Sequence, residues 1–155
     1  LNGQTVAWLG DGNNVAVSWI EAAVIFGFQL RIAGPQRYAP PADLLAWARE
    51  NGGDIVLTDD VNLAVHNVQT VVTDVWISMG ADEGNRIKDF APYQVNEELM
   101  KLAASDAIFM HCLPARRGME VTPEVIDGPQ SAVFDEAENR LHAQKAVVAW
   151  CLEGD

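Results

Sequence analysis

The feature that most constrains this chain is an alternation. Short, continuously apolar runs of β-forming residues are each followed by a stretch with helical apolar spacing. "TVAWLGD" (5–11) ends on glycine and opens into "NNVAVSWIEAAVIFGF", where Val17, Ile20, Ala23, Val24 and Gly27 recur at helical intervals. "QLRIAGP" reads as a second strand. "PADLLAWARENGG" reads as a helix with Asp43 near its start and glycines past its end, and "DIVLTDD" as a third strand. "VNLAVHN" fits one short helix, "VQTVVTDVWIS" a fourth strand, and "VNEELMKLAASD" a helix that Asn96 can cap. "AIFMHCLP" is the fifth strand, and "ENRLHAQKAVVAWCLEG" closes the chain as a helix with apolar positions at Leu141, Ala146, Val147 and Trp150. Strands that are apolar throughout and separated by helices belong to parallel sheets covered on both faces. The pattern predicts one α/β domain over residues 1–155, a doubly wound, Rossmann-like, three-layer fold with a parallel sheet of about five strands.

Charge and cysteine content narrow the function classes. Ten basic against 22 acidic residues leave a formal charge of −12. That balance repels nucleic acid and anionic membranes and favours cationic small ligands. Two cysteines, Cys112 and Cys151, are too few for a disulfide scaffold, and no apolar run approaches a membrane span. A cytoplasmic protein is expected. The chain opens on Leu1 without a basic-then-apolar leader, and it reads as a piece of something longer.

Ligands of doubly wound sheets sit beyond the carboxyl ends of the strands. There the sequence places "GDGNN", "DVWISMG" and "HCLP", three groups that should converge on one rim. Gly10 and Gly12 suggest a dinucleotide fingerprint, but the third glycine position is Val15, and the second strand ends in Ala33, Gly34 and Pro35 with no carboxylate for a ribose. Asn13 and Asn14 either offer amide donors to a ligand carboxylate at the positive end of a helix, or cap that helix and face solvent. Asp74 lies in so apolar a run that it should be partly buried, and a buried carboxylate needs a cation or several donors. Arg86 and Lys88 are the nearest basic residues in sequence; a ligand ammonium or turn amides are the alternatives. His111 and Cys112 should point to opposite sides of a strand, which argues against a Cys-His dyad. The other histidines, His66 and His142, show no metal-ligand spacing with Cys112, so neither a metal nor a cofactor is expected. Pro114 ends the ladder, so the carbonyls of Cys112 and Leu113 are expected to meet a ligand. A buried cysteine acting as a small hydrophobe is the plainer alternative for Cys112.

Taken in order and spacing, "GDGNN", "DVWISMG", "FMHCLPA" and "FDEAENR" resemble the carboxyl-terminal, ornithine-binding domain of ornithine carbamoyltransferases, over essentially the whole chain. The resemblance implies transfer of a carbamoyl group from carbamoyl phosphate to the δ-amine of L-ornithine, giving citrulline and phosphate. It implies that Asn14 and the Met79 amide hold the ornithine carboxylate, that Asp74 holds the α-ammonium, and that Ser78 supports the same end. Cys112 and Leu113 would lie beside the reacting amine and carbamoyl group, and Arg140 would reach carbamoyl phosphate. It also implies a homotrimer or higher assembly. The family's Ser-Thr-Arg-Thr and His-Pro-x-Gln motifs do not occur in this sequence. An amino-terminal carbamoyl-phosphate-binding domain is therefore the expected partner, and the chain alone is expected to be inactive.

Four other readings compete. A putrescine carbamoyltransferase shares "HCLPA" and "EAENR" but resembles "DVWYG" where this chain has "DVWISMG"; an aspartate-specific relative would lack "HCLP". A nucleotide-binding Rossmann module and a non-catalytic amino-acid sensor are the readings from other classes.

Overall fold

The computed structural model describes residues 1–77 and 84–153. Within them, β1 (Thr5–Leu9), β2 (Gln29–Ala33), β3 (Ile55–Thr58), β4 (Thr70–Thr73) and β5 (Ile108–His111) form one all-parallel sheet in the order β3-β2-β1-β4-β5. The helices are α1 (Asn14–Phe26), α2 (Ala42–Glu50), α3 (Val61–Val65), α4 (Arg86–Phe90), α5 (Glu97–Met100), α6 (Pro123–Ile126) and α7 (Val133–Glu153). Short 3-10 turns occupy Gln36–Tyr38 and Ala91–Tyr93.

Side-chain alternation along the strands explains both layers. Val6 and Trp8 of β1, Leu30 and Ile32 of β2 and Val72 of β4 pack with Ala16, Ile20 and Ala23 of α1 and Ala48 of α2. Their neighbours Ala7, Leu9, Ala33, Val71 and Phe109 face the other way, against Ala64 and Val65 of α3, Leu99 and Met100 of α5, and Val125 and Ile126 of α6. Strands buried on both faces have no polar side to show, which is why they read as unbroken apolar runs. The doubly wound α/β fold expected from the pattern is the fold observed.

Several boundaries differ from the sequence pattern. β4 ends at Thr73, whose hydroxyl donates to the Leu9 carbonyl at 2.5 Å, so Asp74 lies just past the strand rather than inside it. α5 closes after one turn, although Asn96 caps it as expected by accepting the Leu99 amide at 2.9 Å. α7 starts at Val133, a turn before the predicted start, and runs for 21 residues. α4 and α6 are short helices without a clear periodic signal. Beyond buried Val133, α7 leaves Phe134, Leu141, Val147, Val148, Trp150 and Leu152 between 57% and 81% exposed. Among the described residues no helix is long and apolar enough to cross a membrane.

Candidate functional site

The strand order reverses at β1, so the crevice between the carboxyl ends of β1 and β4 is the topological switch point. Asp74 sits there, only 8% exposed. Three donors converge on its carboxylate. The Asn13 side-chain amide reaches Oδ2 at 2.8 Å, the Val75 backbone amide reaches Oδ1 at 2.7 Å, and the Cys112 thiol reaches Oδ1 at 3.2 Å. No cation among the described residues pairs with it. Arg86 instead forms an ion pair with Asp11, donates from Nε to the Trp76 carbonyl at 2.7 Å, and lies over the rings of Tyr38 and Phe90 at 4.5 and 5.1 Å. A nearly buried carboxylate with neutral donors and no protein cation paired to it among the described residues leaves room for a cationic ligand group.

Asn13 serves two neighbours at once. Its side-chain oxygen accepts the Val15 and Ala16 amides at 2.9 and 3.1 Å, capping α1, and its amide turns to Asp74. Of the two readings of Asn13, the structure shows the helix cap, and its amide meets the protein's own carboxylate rather than a ligand's. Asn14, the first residue of α1, is exposed on the rim. Gly12 has a structural reason: its amide donates to the Tyr38 carbonyl at 2.8 Å, and a β-carbon there would lie 2.3 Å from the Pro40 nitrogen. Since that amide is occupied, it is not available to a pyrophosphate, and the dinucleotide reading loses its best donor.

At the end of β5 the chain turns sharply. Leu113 takes a φ of 55°, and the Leu113–Pro114 peptide is cis. Cys112 is half-buried; burial first, and then the neighbouring Asp74 charge, push its thiol up from 9.0 to about 12. It therefore remains a thiol and a hydrogen-bond donor, unsuited to nucleophilic attack. The expected opposition of His111 and Cys112 needs correction. Cys112 lies beyond the last residue of β5, so strict alternation no longer applies, and one donor atom each from Asp74, His111 and Cys112 falls within 4.8 Å of the others. They still form no catalytic dyad. Nδ1 of His111 accepts the Leu113 amide at 2.9 Å, and Nε2 faces Glu120 at 3.5 Å. With Nδ1 so occupied, the group is arranged for hydrogen bonding rather than for ligating an ion.

Two acidic residues that sequence reasoning passed over complete this corner. Glu120, fully buried, accepts the Arg116 amide. Glu136 accepts the His111 amide at 3.0 Å, and burial outweighs that bond to raise its carboxyl above the ordinary range. Glu136 lies inside the quoted "FDEAENR", so a signal existed; Glu120 had none. Arg140, one turn beyond Glu136 on α7, is exposed and has no ion pair or side-chain hydrogen bond among the described residues. Ser78 and Met79 lie outside the described residues. The segment that holds them follows buried Trp76 and Ile77 and precedes the clamped Arg86.

Comparison with known proteins matches residues 2–151 to the family model described as aspartate/ornithine carbamoyltransferase, Asp/Orn binding domain. The ornithine carbamoyltransferase of Nitrobacter winogradskyi is 59% identical over 153 residues, which make up 98% of this chain and 50% of that one. That of Bradyrhizobium diazoefficiens is 56% identical over 154 residues, 99% of this chain and 50% of its own. Among solved structures, the Pyrococcus furiosus ornithine carbamoyltransferase superposes with a TM-score of 0.89 at 48% identity, covering 96% of this chain and 49% of that one. The Thermus thermophilus enzyme gives 0.84 at 44% identity, covering 96% and 48%. The chain spans about half the length of the curated relatives it matches.

Proposed function

The chain belongs to the aspartate/ornithine carbamoyltransferase family, in its Asp/Orn binding domain, and from that premise we propose that it is the ornithine-binding half of an ornithine carbamoyltransferase. The observation that carries the reading is Asp74: a nearly buried carboxylate at the switch point, supplied with neutral donors and no protein cation among the described residues. An α-ammonium supplies the missing charge. In this reading Asn14, exposed at the start of α1, and the Met79 amide take the ornithine carboxylate, and Ser78 supports that end. Cys112 and Leu113 stand beside the δ-amine and carbamoyl group, and Arg140 reaches carbamoyl phosphate.

The reaction is then a direct displacement. The neutral δ-amine forms a bond to the carbamoyl carbon, the bond from that carbon to the phosphate oxygen breaks, and the amine's proton leaves with the phosphate. Catalysis rests on positioning and on stabilising the departing anion. A thiol held near 12 supports a role for Cys112 as donor to Asp74 rather than as acyl carrier. With a formal charge of −12, this half is poorly suited to hold a phosphate group. We therefore assign the phosphate pocket to an amino-terminal domain of the same enzyme. The exposed apolar side chains of α7 support a partner there. A cytoplasmic homotrimer or higher assembly belongs to the same proposal.

Substrate choice tests it. Putrescine lacks the α-carboxylate and would leave two donors unpaired. At about 1–3 kcal/mol each, that is roughly thirty- to twenty-thousand-fold in specificity. The full-length enzyme, or this chain fused to a carbamoyl-phosphate-binding half, should form citrulline from ornithine and almost no carbamoylputrescine. This chain alone should form neither. Comparable rates with both amines would refute carboxylate recognition, and citrulline from the isolated chain would refute the assignment of the phosphate pocket to the other half.

A further inference from the structure

The excursion from residue 112 to 119 begins and ends on two fully buried polar side chains, His111 and Glu120, that meet each other at 3.5 Å. Each also reaches into the excursion and accepts one of its backbone amides: His111 Nδ1 takes Leu113 at 2.9 Å, and Glu120 Oε1 takes Arg116. Because Nδ1 accepts, a neutral ring carries its proton on Nε2, directed at Glu120. Nε2 of His111 and Oε2 of Glu120 have no hydrogen-bond partner among the described residues, and the two side chains meet only through the 3.5 Å approach of Nε2 to Oε1. Outside, the His111 amide is fixed by Glu136 at 3.0 Å, and the Glu120 carbonyl accepts the Val95 amide at 2.9 Å. Burying two such groups is costly where an apolar pair of similar size would pack. What an apolar pair cannot do is hold two amides of a turn in which Leu113 adopts φ 55° and from which the Cys112 thiol reaches Asp74 at 3.2 Å.

We propose that His111 and Glu120 are positioning residues that hold the turn over residues 112–116 in its working shape through the turn's own backbone, without touching substrate. The proposal rests on the ornithine-transfer reading for its kinetic consequence, though not for its structural one. Asp74 keeps its bonds to Asn13 and Val75 whatever the turn does. Loosening the turn should therefore disturb the reacting end of ornithine and spare the grip on its ammonium.

The test uses the full-length enzyme with Glu120→Met and Glu120→Gln. Methionine fills the volume but accepts neither amide nor imidazole, whereas glutamine keeps the oxygen that meets Arg116 and His111. The methionine variant should lose at least tenfold in kcat with the ornithine KM within threefold, and the glutamine variant should stay within threefold in both. In parallel, the rate of Cys112 alkylation, located by peptide mass, should rise at least fivefold in the methionine variant only. A folded methionine variant with unchanged kcat and alkylation, or equal losses in both variants, overturns the proposal. If the parent enzyme makes no citrulline, the ornithine reading fails, and the alkylation rates alone decide about the pair. If the methionine variant does not fold, His111→Asn takes its place, since its oxygen keeps the Leu113 amide while nothing meets Glu120. Kinetics and alkylation equal to the parent's would then overturn the proposal.

Discussion

Asp74 is held at the crevice by three neutral donors. Asp74→Asn preserves shape and removes the charge. In the full-length enzyme it should weaken ornithine binding by about 2 kcal/mol or more, as loss of a charge-assisted bond does, and leave carbamoyl phosphate binding nearly unchanged. An unchanged ornithine KM would make Asp74 a structural residue. The same substitution reports on Cys112, whose thiol is pushed up to about 12 by burial first and the Asp74 charge second. Removing the lesser cause should lower the midpoint of its alkylation pH profile, which should still lie above the ordinary 9.0. The raised thiol also has a stability consequence. Above the ordinary thiol range the unfolded chain releases this proton while the folded chain keeps it, so the contribution of Cys112 is whole below about 9 and declines as pH rises toward about 12. Denaturant unfolding of the parent and Cys112→Ala should show the parent losing its relative stability over that interval.

At the level of elements, α1 depends on one residue that also serves the site. Asn13→Ala should cost about 1 kcal/mol of folding stability through the lost cap. Asn13→Ser should recover most of that loss, because a hydroxyl still accepts the Val15 and Ala16 amides, while nothing reaches Asp74. Urea titrations of both variants separate the two duties; equal stability losses would mean that the amide toward Asp74, not the cap, holds the helix start. The five strands were readable from their apolar runs, which in β1 and β4 reflect burial on both faces, whereas edge strand β3, with Val56 and Leu57 exposed, shows that the apolar run alone sufficed. The strand order, and so the switch point, was not read from the sequence. Short elements escaped: α4 and α6 span less than two full turns, too few for periodicity to register. Asp74 was legible as an oddity in an apolar run, as was the cap option for Asn13. The route of Arg86 to Asp11 was not, because 75 residues separate the pair and their meeting depends on the tertiary fold. Glu120 was illegible for the same reason: its importance lies in an imidazole nine positions earlier, across a turn whose shape no local pattern announces.

For the molecule as a whole, α7 is the element least explained by this chain's own core. Past Glu136 its side chains are exposed, apolar ones included. If a second half of the enzyme covers them, amide hydrogen exchange along the distal part of α7 should slow at least tenfold in the full-length protein relative to this chain, while the amides of β1 and β4 change little. Equal exchange in the two forms would mean that nothing lies over the helix. The exposed face also has a bearing on kinetics. Two halves on one polypeptide meet at an effective concentration that the linker sets, commonly in the millimolar range, whereas separately made halves meet only at their bulk concentrations. Citrulline output from mixed halves should therefore rise with the square of dilute protein concentration, and that of the joined enzyme linearly.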